Sequence, residues 1–375
     1  MFVKNFIKKQ MTVKKLSKII KTKILCLVFF IPVFSYSAWQ GSGTETDPWQ
    51  ITSRQCLEAL ADSVNRPPVW WSLNKHFILM NDITDTVRKV IGNSASHLFR
   101  GHFDGQNHLI ILGIFETNIR YVGLFGYADG ATIKNIEVDG YVIATNANHC
   151  GAGGVVGYAL KAKIENCINR CYVYASAPSF DYAGGIVGMA SGSFIVTSII
   201  NCRNYGVIEV DFSDAGGIVG YAHGNTSVVN CKNMGNIYAG RYNSINPHGY
   251  SGAGGIVGAS RFINTISNNL NLGSVSGSDN GVGGIIGHFH QAGGTIVSNN
   301  LNYGFIKSAK NNVGGIVGYA EGYITHPIHT ILTISNNFNS GIVVGNQNVG
   351  CIVGLKGTGT NIINNHYDKQ MCGEE

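Results

Sequence analysis

The heptapeptide "GGIVGYA" at residues 314–320 decides the fold, because nearly the same letters occur seven more times in the chain. The closing glycines of successive copies are 29 to 38 residues apart. They are Gly126, Gly157, Gly188, Gly220, Gly258, Gly287, Gly318 and Gly354. A period of this length is typical of stacked repeat proteins.

A second phrase follows each copy, as in "IENCINR" from Ile164 and "ISNNLNLG" from Ile266. These segments are short, rich in Ile and Val, and interrupted by Gly, and none contains a long amphipathic stretch, which favours strands over helices. We therefore predict an all-β chain, a single-stranded parallel β-helix (β-solenoid) with one repeat per turn. The crossover rule predicts right-handed winding.

An asparagine stands third in every copy of the second phrase. Stacked amides can hydrogen-bond along a ladder and can also satisfy a backbone bend. We predict a structural ladder of Asn135, Asn166, Asn201, Asn230, Asn268, Asn299, Asn336 and Asn364.

The first 37 residues have the pattern of a signal peptide. They contain eight lysines and no acidic residue, followed by the apolar run Ile24 to Phe34 and small polar residues. We predict export with cleavage after Ser37, and Met11 is an alternative start. A membrane anchor is the competing interpretation, although an 11-residue apolar run is short for a span.

The remainder of the chain is nearly neutral, with 19 basic against 21 acidic side chains. This balance gives no electrostatic pattern for nucleic-acid binding. Only 13% of all residues are charged, whereas 50 are glycines, a composition that excludes a disordered chain and disfavours a helical one.

Residues 53–65, "SRQCLEALADSVN", form the one helical pattern, with a serine cap before an apolar face. We predict that this short N-terminal helix caps the open end of the solenoid, within a region of cap and first coils at 38–118. The repeat β-helix follows at 119–375. No comparable pattern covers its C-terminal end.

Eight cysteines lie after the predicted cleavage site, an even number that is compatible with disulfides. Cys167, Cys202 and Cys231 fall at the same place in successive repeats. Because a small thiol suits an interior row, we predict free core cysteines.

The phrase "GLFG" at 123–126 and the later "GGIVG" variants resemble the GLUG motif of bacterial surface proteins, which also occurs beside IgA-cleaving metallopeptidase domains. The stretches "GSGTETDPWQI" (41–51), "FILMNDI" (77–83) and "FRGHFDGQNHLI" (99–110) are similar to the opening of secreted β-helical adhesin-like proteins of Bacteroidetes. The resemblance covers almost all of the chain after residue 37. It implies a β-helix at the cell surface and no particular activity.

This chain departs from the motif in two ways: only Leu124 keeps the leucine, and Cys351 replaces one glycine. The associated peptidase activity is not carried over, because no HExxH zinc motif occurs in the sequence.

Three loops that precede successive "GGIVG" phrases combine acids with aromatic side chains. The arrangement predicts a contact patch for a sugar or peptide. A catalytic acid group and ordinary solvated loops are the alternatives. The candidate residues are Phe180, Asp181, Tyr182, Asp211, Phe212, Asp214, Arg241, Tyr242 and Tyr250.

Tyrosines follow the closing glycine in four repeats, at Tyr127, Tyr158, Tyr221 and Tyr319, but other residues hold the remaining copies. This broken row predicts packing rather than a continuous aromatic track.

Four histidines, His288, His290, His326 and His329, could meet across adjacent coils as zinc or copper ligands. Scattered solvent-facing histidines are the simpler interpretation. We therefore predict no metal site, no cofactor and no catalytic residue.

Together these patterns predict a secreted or cell-surface scaffold that binds a glycan or protein ligand. A stiff rod would present its loops in line, so that weak contacts add through valency. The alternatives are a polysaccharide-degrading β-helix lyase or glycoside hydrolase and a purely structural stalk. No membrane span is expected after signal cleavage.

Overall fold

Parallel strands wind through about nine turns of a β-solenoid in the computed structural model, which confirms the predicted fold class. The structure describes residues 39–372 except 69, 147, 241–250, 263, 279, 280, 291, 292 and 322–330. The predicted signal peptide lies outside the described residues. The described residues belong to one compact unit that begins at Trp39.

Each full turn contributes to three parallel sheets, which we call sheets A, B and C. Sheet B has eight strands: Tyr121–Val122, His149–Gly153, Phe180–Gly184, Asp214–Gly216, Ala253–Gly254, Val282–Gly283, Asn311–Gly314 and Gln347–Gly350. Sheet C also has eight: Phe125–Asp129, Val156–Leu160, Val187–Ser191, Val219–His223, Val257–Arg261, Ile286–His290, Val317–Ala320 and Val353–Lys356. The "GGIVG" phrase therefore forms the corner between sheets B and C.

Sheet A has 25 strands and contains the second phrase of every repeat. Its first five strands are Trp49–Ile51, His76–Leu79, Ile83–Val87, His102–Glu116 and Thr132–Thr145. Most later turns contribute three short strands: Lys163–Glu165, Ile168–Asn169, Tyr172–Ser176; Thr197–Ile200, Arg203–Asn204, Ile208–Val210; Thr226–Val229, Lys232–Asn233, Ile237–Ala239; Asn264–Ser267, Leu270–Asn271, Val275–Gly277; Ile296–Ser298, Leu301–Asn302, Ile306–Ser308; Leu332–Ser335, Phe338–Asn339, Val343–Val344; and finally Thr360–Ile363 with His366–Tyr367.

Aliphatic residues from successive turns stack in register to fill the interior. Ile164 pairs with Ile199, and Ile199 pairs with Val228 in the following turn. All three side chains are fully buried. Each buried aliphatic contributes about 1.5–3 kcal/mol relative to exposure, and every turn repeats the contribution.

The only α-helix among the described residues is α1, Arg54–Val64. The Cys56 backbone N–H donates to Ser53 Oγ at 3.2 Å, which is the predicted serine cap. Leu57, Leu60 and Ala61 join the core at the N-terminal end of the solenoid. No helix of the described residues is long and apolar enough to cross a membrane.

The cysteines only partly follow the prediction of free core thiols. Six are free and buried, including Cys167, Cys202 and Cys231, but Cys351 and Cys372 form a disulfide. This bond holds the 3-10 helix Lys369–Cys372 against the last turns. The expectation of an uncovered C-terminal end is therefore wrong in part, because a disulfide-held turn lies where no helical pattern could be recognised.

Candidate functional site

The predicted contact residues lie where the chain passes from sheet A to sheet B. Phe180, Asp181 and Tyr182 open one strand of sheet B, and Asp214 opens the next, with Tyr182 and Asp214 as register partners. Asp211 and Phe212 occupy the turn before Asp214, whereas Arg241, Tyr242 and Tyr250 lie outside the described residues.

Strand alternation separates the aromatic residues of this set from its acids. Side chains at successive strand positions point to opposite faces, and Phe180 and Tyr182 are partly exposed while Asp181 between them is fully buried. Asp211 and Asp214 are also buried, at 4% and 5% exposure. The three carboxylates therefore do not form part of an external contact surface, which corrects the predicted patch.

The buried carboxylates instead bind neighbouring turns. Asp181 Oδ2 accepts hydrogen bonds from the backbone N–H groups of Asp211 (3.2 Å) and Phe212 (3.0 Å) in the next turn. Asp211 Oδ2 accepts from Tyr174 Oη at 2.5 Å and from Ser176 Oγ at 2.7 Å in the preceding turn. These carboxylates therefore act as hydrogen-bond acceptors for turn groups that have no partner in the sheets.

Asp214 makes the same kind of connection one turn later, because its Oδ1 accepts from the Gly252 N–H at 2.8 Å. Burial raises the pKa of Asp214 to about 8. Burial likewise raises the pKa of Asp181 to about 7, against the lowering effect of the N–H groups that it accepts from. Two acids of this turn region are thus far less acidic than exposed aspartates.

The aromatic residues of the set belong to a longer row of rings on the outer surface, which we call the aromatic row. It consists of His149, Phe180, Tyr182, Tyr221, His223 and Phe262. Successive ring centroids lie 4.9, 6.3, 5.0, 6.0 and 5.2 Å apart. Tyr221, one of the tyrosines that follow a closing glycine, packs on Tyr182 with an interplanar angle of 13°.

The C-terminal end of the aromatic row is held in an unusual conformation. Phe262 has φ +64°, a left-handed backbone that bulky residues rarely adopt, and its side chain is 37% exposed. The Arg261 guanidinium lies 4.7 Å from the Phe262 ring centroid. Strain of this kind persists only where surrounding structure maintains it, and it is frequent at binding sites.

The eight asparagines predicted to form a ladder mark a backbone bend. All have φ between +50° and +57°, the left-handed conformation that asparagine tolerates best. Asn166 Nδ2 donates to Asn135 Oδ1 at 3.1 Å, and Asn201 Nδ2 donates to Asn166 Oδ1 at 3.3 Å. Asn135 in turn donates to Asp104 Oδ1 at 2.9 Å. These bonds join the first turns, and the later members of the column are exposed.

A second asparagine ladder lies three residues further along in six of the eight repeats and was not predicted. It comprises Asn169, Asn204, Asn233, Asn271, Asn302 and Asn339, all fully buried. Each amide nitrogen donates to the amide oxygen of the next turn at 2.8–2.9 Å. We call this the inner ladder. Its signal in the sequence is the last Asn of "ENCIN", "INCRN" and "SNNLN".

Only two of the four histidines of the candidate metal site lie in the described residues. His288 is fully buried, and its ring centroid lies 3.9 Å from that of His290, while His326 and His329 lie outside the described residues. No group of three or more His, Cys, Asp or Glu side chains in the described ranges is arranged as metal ligands. Burial, together with the neighbouring His290, holds the pKa of His288 well below 6.5.

We expect His288 to make the protein less stable in mild acid. Because its folded-state pKa is lowered, the unfolded chain binds more protons below about pH 6.5, so this contribution to stability is lost as the pH falls. Replacing His288 with Leu, which the last turn carries in this row as Leu355, should remove the effect. The buried acids are common to both proteins, so their titration cancels in the difference.

The measurement is the difference in free energy of unfolding between His288→Leu and the parent at about pH 7.5 and about pH 5.5. The difference should shift in favour of the variant at the lower pH. An unchanged difference would contradict the assignment.

Comparison with known proteins supports the fold. No protein-family model matches the sequence, and no curated protein matches it significantly. A crystal structure from Bacteroides ovatus, described as that of a "putative immunoglobulin A1 protease", matches with a TM-score of 0.52 at 19% sequence identity. The match covers 88% of this chain and 86% of that chain. At this identity the likeness shows a shared fold and nothing more.

Proposed function

We propose that this chain is an exported β-solenoid of the GLUG-repeat type that acts at the cell surface or after secretion as a scaffold for adhesion or binding. The aromatic row is its contact surface, and the ligand is a glycan or a protein. The observation that carries the proposal is the row itself, because six rings from four successive turns lie in contact and extend from sheet B across the corner to sheet C.

Aromatic faces suit sugar rings and extended peptides, because they offer large apolar area with little conformational entropy to lose. Rings repeated at the spacing of stacked turns can engage several units of one polymer, and the separate contacts then add. The left-handed Phe262 and the guanidinium of Arg261 over its ring support a binding role at one end of the row.

Binding without cleavage is the better supported form of the proposal. Asp181, Asp211 and Asp214 accept hydrogen bonds within the solenoid, so they support the turns rather than a reaction at the surface. The activity named for the Bacteroides ovatus protein is not part of the proposal, because the sequence has no HExxH motif.

The test is a glycan-array screen of the secreted chain with parallel analysis of products. Retention of a glycan without new reducing ends is expected. New reducing ends would replace the proposal with a polysaccharide-degrading enzyme. Failure to retain any glycan or candidate host protein would favour the structural stalk instead.

For a retained ligand, we expect the double variant Phe180→Ala with Phe262→Ala to bind at least about tenfold more weakly, through the loss of two stacking faces. Tyr303→Ala is the control, because this exposed tyrosine lies between two strands of sheet A and outside the aromatic row. Equal binding by the double variant and the control would remove the row from the proposal.

A further inference from the structure

Three oxygen atoms are shielded from solvent where the strand Phe180–Gly184 meets the turn 211–213 of the next coil, and none has a hydrogen-bond partner at normal distance and angle. They are Oδ1 of Asp181, Oδ1 of Asp211 and Oγ of Ser213. The three side chains are 0%, 4% and 2% exposed. Buried polar atoms are almost always hydrogen-bonded, so the two carboxylate oxygens in particular indicate a partner that the protein chain does not supply.

The three atoms belong to one small region. Asp181 Oδ2 lies within hydrogen-bond distance of the Asp211 and Phe212 nitrogens, which places its carboxyl group against the 211–213 turn of the following coil. Ser213 is part of that same turn, and its backbone N–H and hydroxyl group face the Asp181 carboxyl group closely enough to lower its pKa against the effect of burial. The region therefore brings oxygen donors from two successive coils together.

No basic side chain neutralises these acids within the described ranges. The ion pairs found there involve other acids, and Asp211 is approached by the neutral hydroxyl groups of Tyr174 and Ser176. Burying carboxylates without a counter-charge costs several kcal/mol, and proteins avoid the cost by protonation or by binding a cation.

We propose that Asp181, Asp211 and Ser213 form a binding site for a hard divalent cation, with Ca²⁺ as the expected ligand. The donor set consists of oxygen alone, which suits calcium or magnesium and not the softer zinc or copper. Calcium is preferred over magnesium because it accepts irregular geometry and takes six to eight oxygen ligands. Two carboxylates and a hydroxyl supply part of that number, and carbonyl and water oxygens complete calcium sites of this kind.

The site would connect two coils at the base of the aromatic row. Asp181 lies between Phe180 and Tyr182 on one strand, and Phe212 lies between the other two ligands. A bound cation would compensate the negative charge that burial disfavours in these carboxylates. It would fix the turn that carries these rings without touching the ligand of the row.

The experiment measures the melting temperature of the whole exported chain after EDTA treatment and again with calcium or magnesium at millimolar concentration. We expect calcium to raise the melting temperature by about 2–5 °C, magnesium to act less strongly, and EDTA to reverse the effect. The Asp181→Asn and Asp211→Asn variants should lose the calcium shift. Asp85→Asn, at an exposed aspartate away from the site, should keep it.

The asparagine variants are suitable because they keep the size of the side chain and an acceptor oxygen, so the backbone bonds to residue 181 can persist. Terbium luminescence provides a measurement that does not depend on stability. Tyr174 contacts Asp211, so bound Tb³⁺ should emit on tyrosine excitation, and calcium should displace it. Tyr174→Phe should weaken the tyrosine-sensitised emission but keep the calcium shift in melting temperature, whereas Asp211→Asn should lose both.

Absence of both a calcium shift and sensitised terbium emission in the parent protein would overturn the proposal and leave protonated acids or buried water as the partners. A calcium shift of equal size in Asp181→Asn, Asp211→Asn and Asp85→Asn would also overturn it. These outcomes are separate from the glycan screen, which tests the aromatic row and not the cation.

Discussion

Replacing Gly217 with alanine should destabilise the folded chain by more than about 3 kcal/mol, one of the two largest effects that we expect from a single substitution. A Cβ at this position would lie 2.1 Å from the Gly255 carbonyl oxygen of the next turn and 2.4 Å from Cγ of Asn233. The first contact is with a backbone atom whose position is set by the packing of successive turns. The clash therefore cannot be relieved by rotating a side chain, and neighbouring turns must separate.

Gly130→Ala is the control, because it tests conformation without crowding. Gly130 has φ +63°, and no atom lies within 4 Å of the position where its Cβ would be. Alanine there should cost about 1 kcal/mol from the left-handed backbone alone. Urea unfolding followed by circular dichroism provides the measurement. A cost for Gly217→Ala no larger than that for Gly130→Ala would show that the corner between sheets B and C is loosely packed.

Replacing Asn233 with alanine should destabilise the chain by about 3–5 kcal/mol, because it interrupts the inner ladder at its centre. Asn233 Oδ1 accepts from Asn204 Nδ2 at 2.8 Å, and Asn233 Nδ2 donates to Asn271 Oδ1 at 2.9 Å. The same side chain bonds both the N–H and the carbonyl of Gly235. Removing the side chain leaves several buried polar groups without a partner, and water cannot easily replace it.

Asn230→Ala is a closely matched control, since Asn230 belongs to the same turn and lies only three residues away. Its side chain is exposed and its φ is +56°, so the substitution should cost about 1 kcal/mol. The two variants can be compared by urea unfolding and by hydrogen exchange at neighbouring turns. Equal costs for both would mean that the inner ladder contributes no more than the bend.

The repeat could be read from the sequence because stacking imposes it. A parallel coil must return to the same place after each turn, so the closing glycines and the aliphatic pairs recur with the period of the turn. The helix was recognisable for a different reason, since Ser53 and the apolar spacing that follows it are local signals. The disulfide-held 3-10 helix has no comparable local pattern.

The inner ladder could not be assigned from simple alternation. Asn166 adopts the left-handed conformation, which bends the chain within the phrase, and both Cys167 and Asn169 after it are buried. In a regular strand every second side chain points inward, but this alternation is interrupted at the bend. Alternation alone therefore does not show which of the two asparagine columns faces the interior. The position of the bend within the phrase decides which asparagine points inward, and that position is a property of the folded backbone.

The prediction that placed the three aspartates on an external surface was wrong for a related reason. The stretch "FDY" at 180–182 was interpreted as loop, where acids normally face water, although it begins a strand of sheet B. Alternation from Ala183 would have placed Asp181 inward. Nothing in the sequence alone indicates that a carboxylate can be accommodated there, because its partners are backbone groups of the next turn.

Helix α1 restricts how copies of this chain could polymerise. Strands at an uncovered end of a solenoid can template further strands, and head-to-tail growth of a fibre needs both ends to be available. The 3-10 helix Lys369–Cys372 covers the last turns only in part, but a copy added there would present its α1-covered end and so no new strand edge for another copy. Accidental edge pairing would then stop at a tail-to-tail pair, so that concentrated protein would be protected against filament formation.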